Sequence, residues 1–409
     1  MDIQEKIVFL NKHWGQGKFE TFEFKRYLFS KIWKDIETKP ITLLTGPRRT
    51  GKSVIVKQLI NEVINKKRVN PRQVLFYEFS REEKTEVVWR VFDYFSKEVA
   101  DPRLPIYLFF DEIQYLKDYE LILKQIYDNT QNCKIVITGS LSLSYKRKMQ
   151  ESLTGRFFPY HLYPLNFSEY LELTKQDSFQ IFKEIENIKD NYKKQSLLAP
   201  LNADFREFLL YGRFPETVNF TKDQTHAYLK NIISQSLNQD VFSYFEIEKP
   251  LIVNAIFEYI RQNNGGIISI NKLADNLSAS NQTATLYLNI LDQMGIIYLV
   301  YNSLNPLVKT QCAKKAYINS SFALLETKLD IQTATGIAVE SYILERLLEK
   351  NETVTFWRKR NKEIDFILPK KKIGYEIKFR TQTPYTKNAP KGFSIKTLSL
   401  NGEYPACLF

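Results

Sequence analysis

The chain has 409 residues, of which 44% are hydrophobic and 25% charged, so it is long enough for two or three domains and has ordinary globular usage. Three cysteines and three histidines, all far apart in sequence, exclude a disulfide scaffold and a zinc cluster. With 58 Lys and Arg against 46 Asp and Glu the net charge is +12, which favours an anionic partner, nucleic acid or nucleotide first.

The apolar runs IYLFF (106–110) and GIIYLVY (295–301) fall well short of the roughly 20 residues that cross a bilayer. Acids at Asp2 and Glu5 stand where a secretory signal needs a basic run. No membrane partner is expected, and the protein is expected in the cytoplasm.

Residues 1–38 read as a helical lead-in rich in aromatics and lysine, ending where Pro40 discourages helix continuation. Beyond it, ITLLT, VLFYEF, IYLFF and KIVIT alternate with helical segments, the pattern of βαβ units on a mainly parallel sheet. The first strand runs into Gly46-Pro47-Arg48-Arg49-Thr50-Gly51-Lys52-Ser53, which satisfies the P-loop pattern and opens a helix. Its glycines let successive N–H groups face phosphates, Lys52 reaches the β/γ-phosphates, and Ser53 holds Mg²⁺. The strand IYLFF delivers Asp111 and Glu112 at its carboxyl end, a Walker B pattern. Asp111 is expected to hold Mg²⁺ largely through water and Glu112 to orient and deprotonate the attacking water. A third strand ends in Thr138-Gly139-Ser140, so Thr138 or Ser140 is a candidate sensor of the γ-phosphate.

GPRRTGKS, LFFDEIQ, VITGS and LTGRFFPYHLYPLNFSEYLEL occur in that order. On these motifs the chain resembles archaeal and bacterial AAA+-type P-loop ATPases in which a helical region, a winged helix and a nuclease-like domain follow the ATPase core. The resemblance implies ATP as the nucleotide, with Mg²⁺. It also makes Arg156 a catalytic candidate, either stabilising transition-state charge, in cis or from a neighbouring subunit of a homo-oligomer, or holding a structural ion pair. The loop Gly212-Arg213-Phe214-Pro215 departs from the family pattern.

Helical periodicity marks 166–250 as a lid or linker. The stretch 251–320 resembles a winged helix whose second helix offers Asn281, Gln282 and Thr283 to bases, with Lys314 and Lys315 as the local basic pair. It is either a DNA contact or a packing module. In 321–409 a long helix carrying Glu340 precedes Trp357-Arg358-Lys359-Arg360, Asp365, the basic turn 370–372, and Glu376-Ile377-Lys378. This D…E-x-K arrangement resembles the restriction-endonuclease-like fold, which implies Asp365 and Glu376 as metal ligands, Lys378 beside the scissile phosphate, and Glu340 as an additional acid. Alternation places Glu376 and Lys378 on one strand face.

The expected architecture is therefore α/β: a P-loop NTPase core at 39–165, then lid, winged helix and endonuclease-like domain. The expected function is an ATP-hydrolysing ATPase coupled to DNA binding or processing. The alternative is a nucleotide-dependent oligomeric switch, or a protein-recruiting scaffold with an inactive nuclease-like domain.

Overall fold

The structure, a computed structural model, describes residues 2–140, 155–185, 188, 191–245, 247, 249–302, 313–323, 325, 331–350, 352–359, 362–378, 390 and 392–399. Arg360 and the Leu-Thr that opens LTGRF lie outside these residues. The chain divides into two compact units, Met1–Leu162 with Ser243–Glu246, and Tyr163–Phe242 with Ile247–Phe409.

The first unit is built on five strands, β1 (Ile41–Thr45), β2 (Val74–Glu78), β3 (Ile106–Asp111), β4 (Cys133–Gly139) and β5 (Phe157–His161), in the order β2-β3-β4-β1-β5. Every pairing is parallel. β1, β3 and β4 are buried throughout, which is why they read as unbroken apolar runs rather than alternating ones. This is a P-loop NTPase sheet, with β4 lying between the P-loop strand β1 and the Walker B strand β3.

The lead-in is not a separate unit. Phe19, Leu28, Phe29, Ile32 and Ile36 share one core with Ile55, Leu59 and Val63 of the P-loop helix (Lys52–Lys67) and with Phe76, Phe109 and Val136 of the sheet. It also covers the sheet's exposed edge. The Asn11 amide donates to the Phe76 carbonyl at 2.9 Å and its oxygen accepts from the Phe76 N–H at 2.7 Å. His13 and Trp14 both meet the Val74 carbonyl. β2 is an edge strand, and these side chains take the backbone groups that another chain would otherwise pair with.

In the second unit the helices Phe167–Thr174, Gln176–Ile185 and Asn191–Tyr211 pack around Phe167, Phe205, Phe208 and Tyr342. Arg213, from the loop that departs from the family pattern, is buried here. Its guanidinium donates to Glu345 and to the Leu165 carbonyl and lies over the Phe208 and Tyr342 rings. Glu345 also accepts from the Ser320 N–H and hydroxyl, so the ion pair is closed by hydrogen bonds, the condition for a buried pair to be tolerated.

Pro250–Gln262, β6 (Ile267–Ile268), Ile270–Asn276, Asn281–Gln293, β7 (Ile297–Asn302) and β8 (Lys314–Ile318) follow in that order. Ser269 and Ser280 cap the two short helices. The helix Ile331–Glu349 then leads into β9 (Thr355–Lys359), β10 (Lys362–Leu368), β11 (Ile373–Lys378) and β12 (Ser394–Ser399). The strands assigned to two modules from sequence form one seven-stranded sheet, β12-β11-β10-β9-β7-β8-β6. They are joined by the parallel pairing of β7 with β9, Tyr301 opposite Thr355 and Asn302 opposite Phe356.

Candidate functional site

The P-loop turns at the carboxyl end of β1. Gly46 has φ +152°, and a Cβ there would lie 2.2 Å from the Leu162 carbonyl oxygen, so no larger residue fits. Gly51 (φ +97°) caps the following helix and Arg49 adopts φ +64°, a left-handed turn that keeps loop N–H groups pointing one way. Thr50 closes the loop on the Pro47 carbonyl at 2.8 Å. Lys52 is buried and donates to the Gly46 and Pro47 carbonyls at 3.0 Å each, which holds the ammonium over the hollow of the loop. Arg48 reaches the Tyr115 hydroxyl at 2.8 Å, and Arg26 of the lead-in donates to the Thr50 carbonyl.

Asp111 ends β3 buried, one strand away from the loop. Thr138 from the intervening β4 donates its hydroxyl to Asp111 Oδ1, and the Glu112 N–H donates to that hydroxyl at 3.2 Å. Burial and the adjacent Glu112 charge push the Asp111 carboxyl above its usual range, while hydrogen bonds from Ser53 and Thr138 and the Lys52 charge pull it back. Asp111 Oδ2 is buried with no hydrogen-bond partner. An orphaned carboxylate oxygen beside the Ser53 hydroxyl fits Mg²⁺, which takes one or two protein oxygens and keeps its remaining waters. Glu112 sits in the left-handed region (φ +55°), with its carboxylate held by the Gln114 side-chain amide.

Sequence reasoning offered Thr138 and Ser140 equally. It is Thr138 that bonds Asp111 and Glu112, whereas Ser140 is buried one residue beyond the end of β4. It missed Glu78, which lies opposite Asp111 in the β2–β3 register. Partial burial, then the Asp111 and Glu112 charges, raise the Glu78 carboxyl. A carboxylate at the tip of the neighbouring parallel strand was the available signal.

The structure places Arg156 away from the P-loop of its own chain. Its carbonyl accepts from the Ile41 N–H, which places it at the amino ends of β5 and β1, the end of the strands opposite the P-loop. Five strand residues at about 3.3 Å each separate it from the loop of its own chain. Its guanidinium pairs with Asp128 at 3.1 Å and lies over Tyr127.

In the second unit Asp365 (β10), Glu376 and Lys378 (β11) and Glu340 are brought into one electrostatic neighbourhood. Asp365 Oδ2 accepts from the Ile377 N–H at 2.9 Å, and Glu376 Oε1 pairs with Lys378 at 2.6 Å. Burial and the Asp365 charge raise Glu376, and the same two causes push Glu340 up to about 7. Glu340 accepts from the Tyr317 hydroxyl and lies against Gly265, whose φ of +72° and closeness to that carboxylate exclude a side chain. Glu376 Oε2 is buried without a partner, so the donor set fits a divalent cation in part. Among the described residues no three such ligands converge on one point.

Lys314 and Lys315 are corrected as a phosphate-binding pair. Both are buried, and Lys315 pairs with Glu363 at 2.5 Å and approaches Asp365 Oδ1 at 3.5 Å. In the expected recognition helix Asn281 is bonded to Asn271 and Thr283 to Ser280, leaving Gln282 exposed. Exposed cations lie instead at Arg358, Lys359, Lys362 and 370–372.

The parallel sheet and the P-loop define a domain of the P-loop NTPase fold. Residues 38–171 match the family model described as AAA domain. Residues 202–324 match a domain of unknown function (DUF8612). The chain is similar to an uncharacterized protein of Haemophilus influenzae, 23% identical over 82% of this chain and 80% of that one. It is also similar to uncharacterized protein MJ1544 of Methanocaldococcus jannaschii, 26% identical over 82% and 75%. Among solved structures it resembles the Aeropyrum pernix Orc1 protein in complex with DNA, at 12% identity over 78% of this chain and 93% of that one, with a TM-score of 0.33. A Thermotoga maritima DNA polymerase III gamma subunit-related protein matches at 10% identity over 65% and 98%, with a TM-score of 0.30. No helix among the described residues is long and apolar enough to cross a membrane.

Proposed function

We propose that the chain is a Mg²⁺-dependent ATPase whose turnover is coupled to DNA. The observation that carries the hydrolytic part is the Thr138 hydroxyl, which links Asp111 to the backbone of Glu112. Loop N–H groups and Lys52 bind the triphosphate, and Ser53 and Asp111 would hold Mg²⁺, which would supply positive charge to the phosphates. Glu112, steadied by Gln114, orients water and accepts its proton. Because the loop lies at the carboxyl end of β1 and Arg156 at the amino end of the neighbouring β5, Arg156 serves the site of a neighbouring subunit. Coupling to DNA is supported by the net charge of +12 and by the exposed cations of the β9–β10 hairpin and the 370–372 turn.

A second reading concerns the endonuclease-like part. The orphaned Glu376 Oε2 beside Asp365 supports a divalent metal site there, with Lys378 placed for a phosphate. ATP turnover measured with and without single- and double-stranded DNA tests the main reading. Stimulation by DNA is expected, whereas slow turnover indifferent to DNA identifies a nucleotide switch.

A further inference from the structure

Lys315 occupies the middle of the acidic group in the second unit, although β8 was assigned to the winged helix. Its side chain is 3% exposed. The ammonium lies 2.5 Å from Glu363 Oε1 and 3.5 Å from both Asp365 Oδ1 and the Tyr317 hydroxyl, and that hydroxyl in turn bonds Glu340. Phe356 covers it, the ring centroid 5.5 Å from Nζ. A buried ammonium is retained only where carboxylates compensate its lost hydration, so its position marks where this group concentrates negative charge.

A second observation is independent of the lysine. The Glu376 side chain is 8% exposed, yet its Oε2 has no partner while Oε1 faces Lys378. One carboxylate oxygen therefore stands ready for a cation, while Asp365 Oδ1, next to it electrostatically, faces Lys315. That division explains why no three carboxylates converge among the described residues: the group is arranged about an ammonium.

We propose that Lys315 is the resident cation of this site, and that a divalent metal binds between Asp365 and Glu376 only in exchange for it. The proposal rests on the reading of the second unit as a metal-dependent site. Lys315 then sets the metal affinity of the site, because an ammonium and a divalent ion a few ångströms apart in a buried setting repel strongly.

Calorimetric titration of the full chain with Mn²⁺, without nucleotide, tests this in wild type, Lys315→Met and Lys315→Arg, with Asp365→Asn as the baseline that isolates this site from the P-loop. Lys315→Met should bind Mn²⁺ at least about tenfold tighter than wild type, and Lys315→Arg no tighter. Equal or weaker Asp365-dependent binding by Lys315→Met, with wild type binding, overturns the exchange and leaves the metal site standing. No Asp365-dependent binding in any form overturns both.

If Lys315→Met does not fold, acetylation of wild type read by mass spectrometry replaces it. Lys315 should be protected in metal-free protein and modified on addition of Mn²⁺. Protection that Mn²⁺ leaves unchanged overturns the proposal.

Discussion

The Thr138 hydroxyl donates to Asp111 across the β4–β3 boundary and accepts from the Glu112 amide at 3.2 Å, so one side chain touches both halves of the Walker B pair. Thr138→Val keeps the shape and removes the hydroxyl. Turnover should fall roughly tenfold to a hundredfold with ATP affinity nearly unchanged. Steady-state ATPase assays paired with equilibrium binding of a fluorescent ATP analogue read the two quantities separately, and an unchanged rate would remove Thr138 from the mechanism.

Lys52 and Glu112 should separate binding from hydrolysis. Lys52→Ala removes the ammonium held over the loop by the Gly46 and Pro47 carbonyls, so ATP affinity falls. Glu112→Gln removes the base and keeps the side-chain shape, so ATP binds and persists. Filter-retained radiolabelled ATP after a chase distinguishes them. Wild-type turnover by Glu112→Gln contradicts its assignment as base.

Arg156 lies at the amino end of the strands, opposite the end that carries its own P-loop, and should act across a subunit interface. Lys52→Ala and Arg156→Ala proteins, each inactive alone, should recover about a quarter of wild-type activity when mixed, because random pairing joins an intact loop to an intact arginine in that share of interfaces. Absence of recovery in a mixture shown to co-assemble would leave Arg156 as the partner of Asp128 alone.

DNA affinity should be electrostatic and carried by the β9–β10 hairpin. Replacing Arg358 and Lys359 with alanine should reduce the slope of log affinity against log salt by up to about 0.9 for each lost phosphate contact on duplex DNA. Fluorescence anisotropy across a salt series measures it. An unchanged slope moves the DNA site away from these residues.

His13 ties stability to pH. Burial lowers its pKa to about 4, partly opposed by its bond to the Val74 carbonyl. The unfolded chain, with an ordinary histidine near 6.5, therefore binds more protons between these values. His13 contributes stability fully above about pH 6.5 and loses it as pH falls towards 4, up to about 3 kcal/mol in all. Urea unfolding of wild type should weaken more steeply than that of His13→Phe between pH 6.5 and 5. Parallel curves would show that His13 is not the titrating group.

What the amino-acid sequence determined by itself is the chemistry that neighbouring residues carry. Gly46 to Ser53 and Asp111-Glu112 were legible because each motif is contiguous and sits at the end of a strand whose burial on both faces leaves an unbroken apolar run. The helix–strand order around the two short capped helices was legible for the same reason, since Ser269 and Ser280 act on residues three positions away.

Strand order and long-range register were decided only by the tertiary structure. Insertion of β4 between β1 and β3 selected Thr138, the β2–β3 register brought in Glu78, and the parallel start of β5 carried Arg156 away from its own loop. The pairing of β7 with β9 merged the strands of two expected modules and turned Lys315 from a surface phosphate contact into a buried counter-ion. Local periodicity says which face of a strand is apolar, but which strand lies beside it depends on burial summed over the whole sheet, and that quantity is not local.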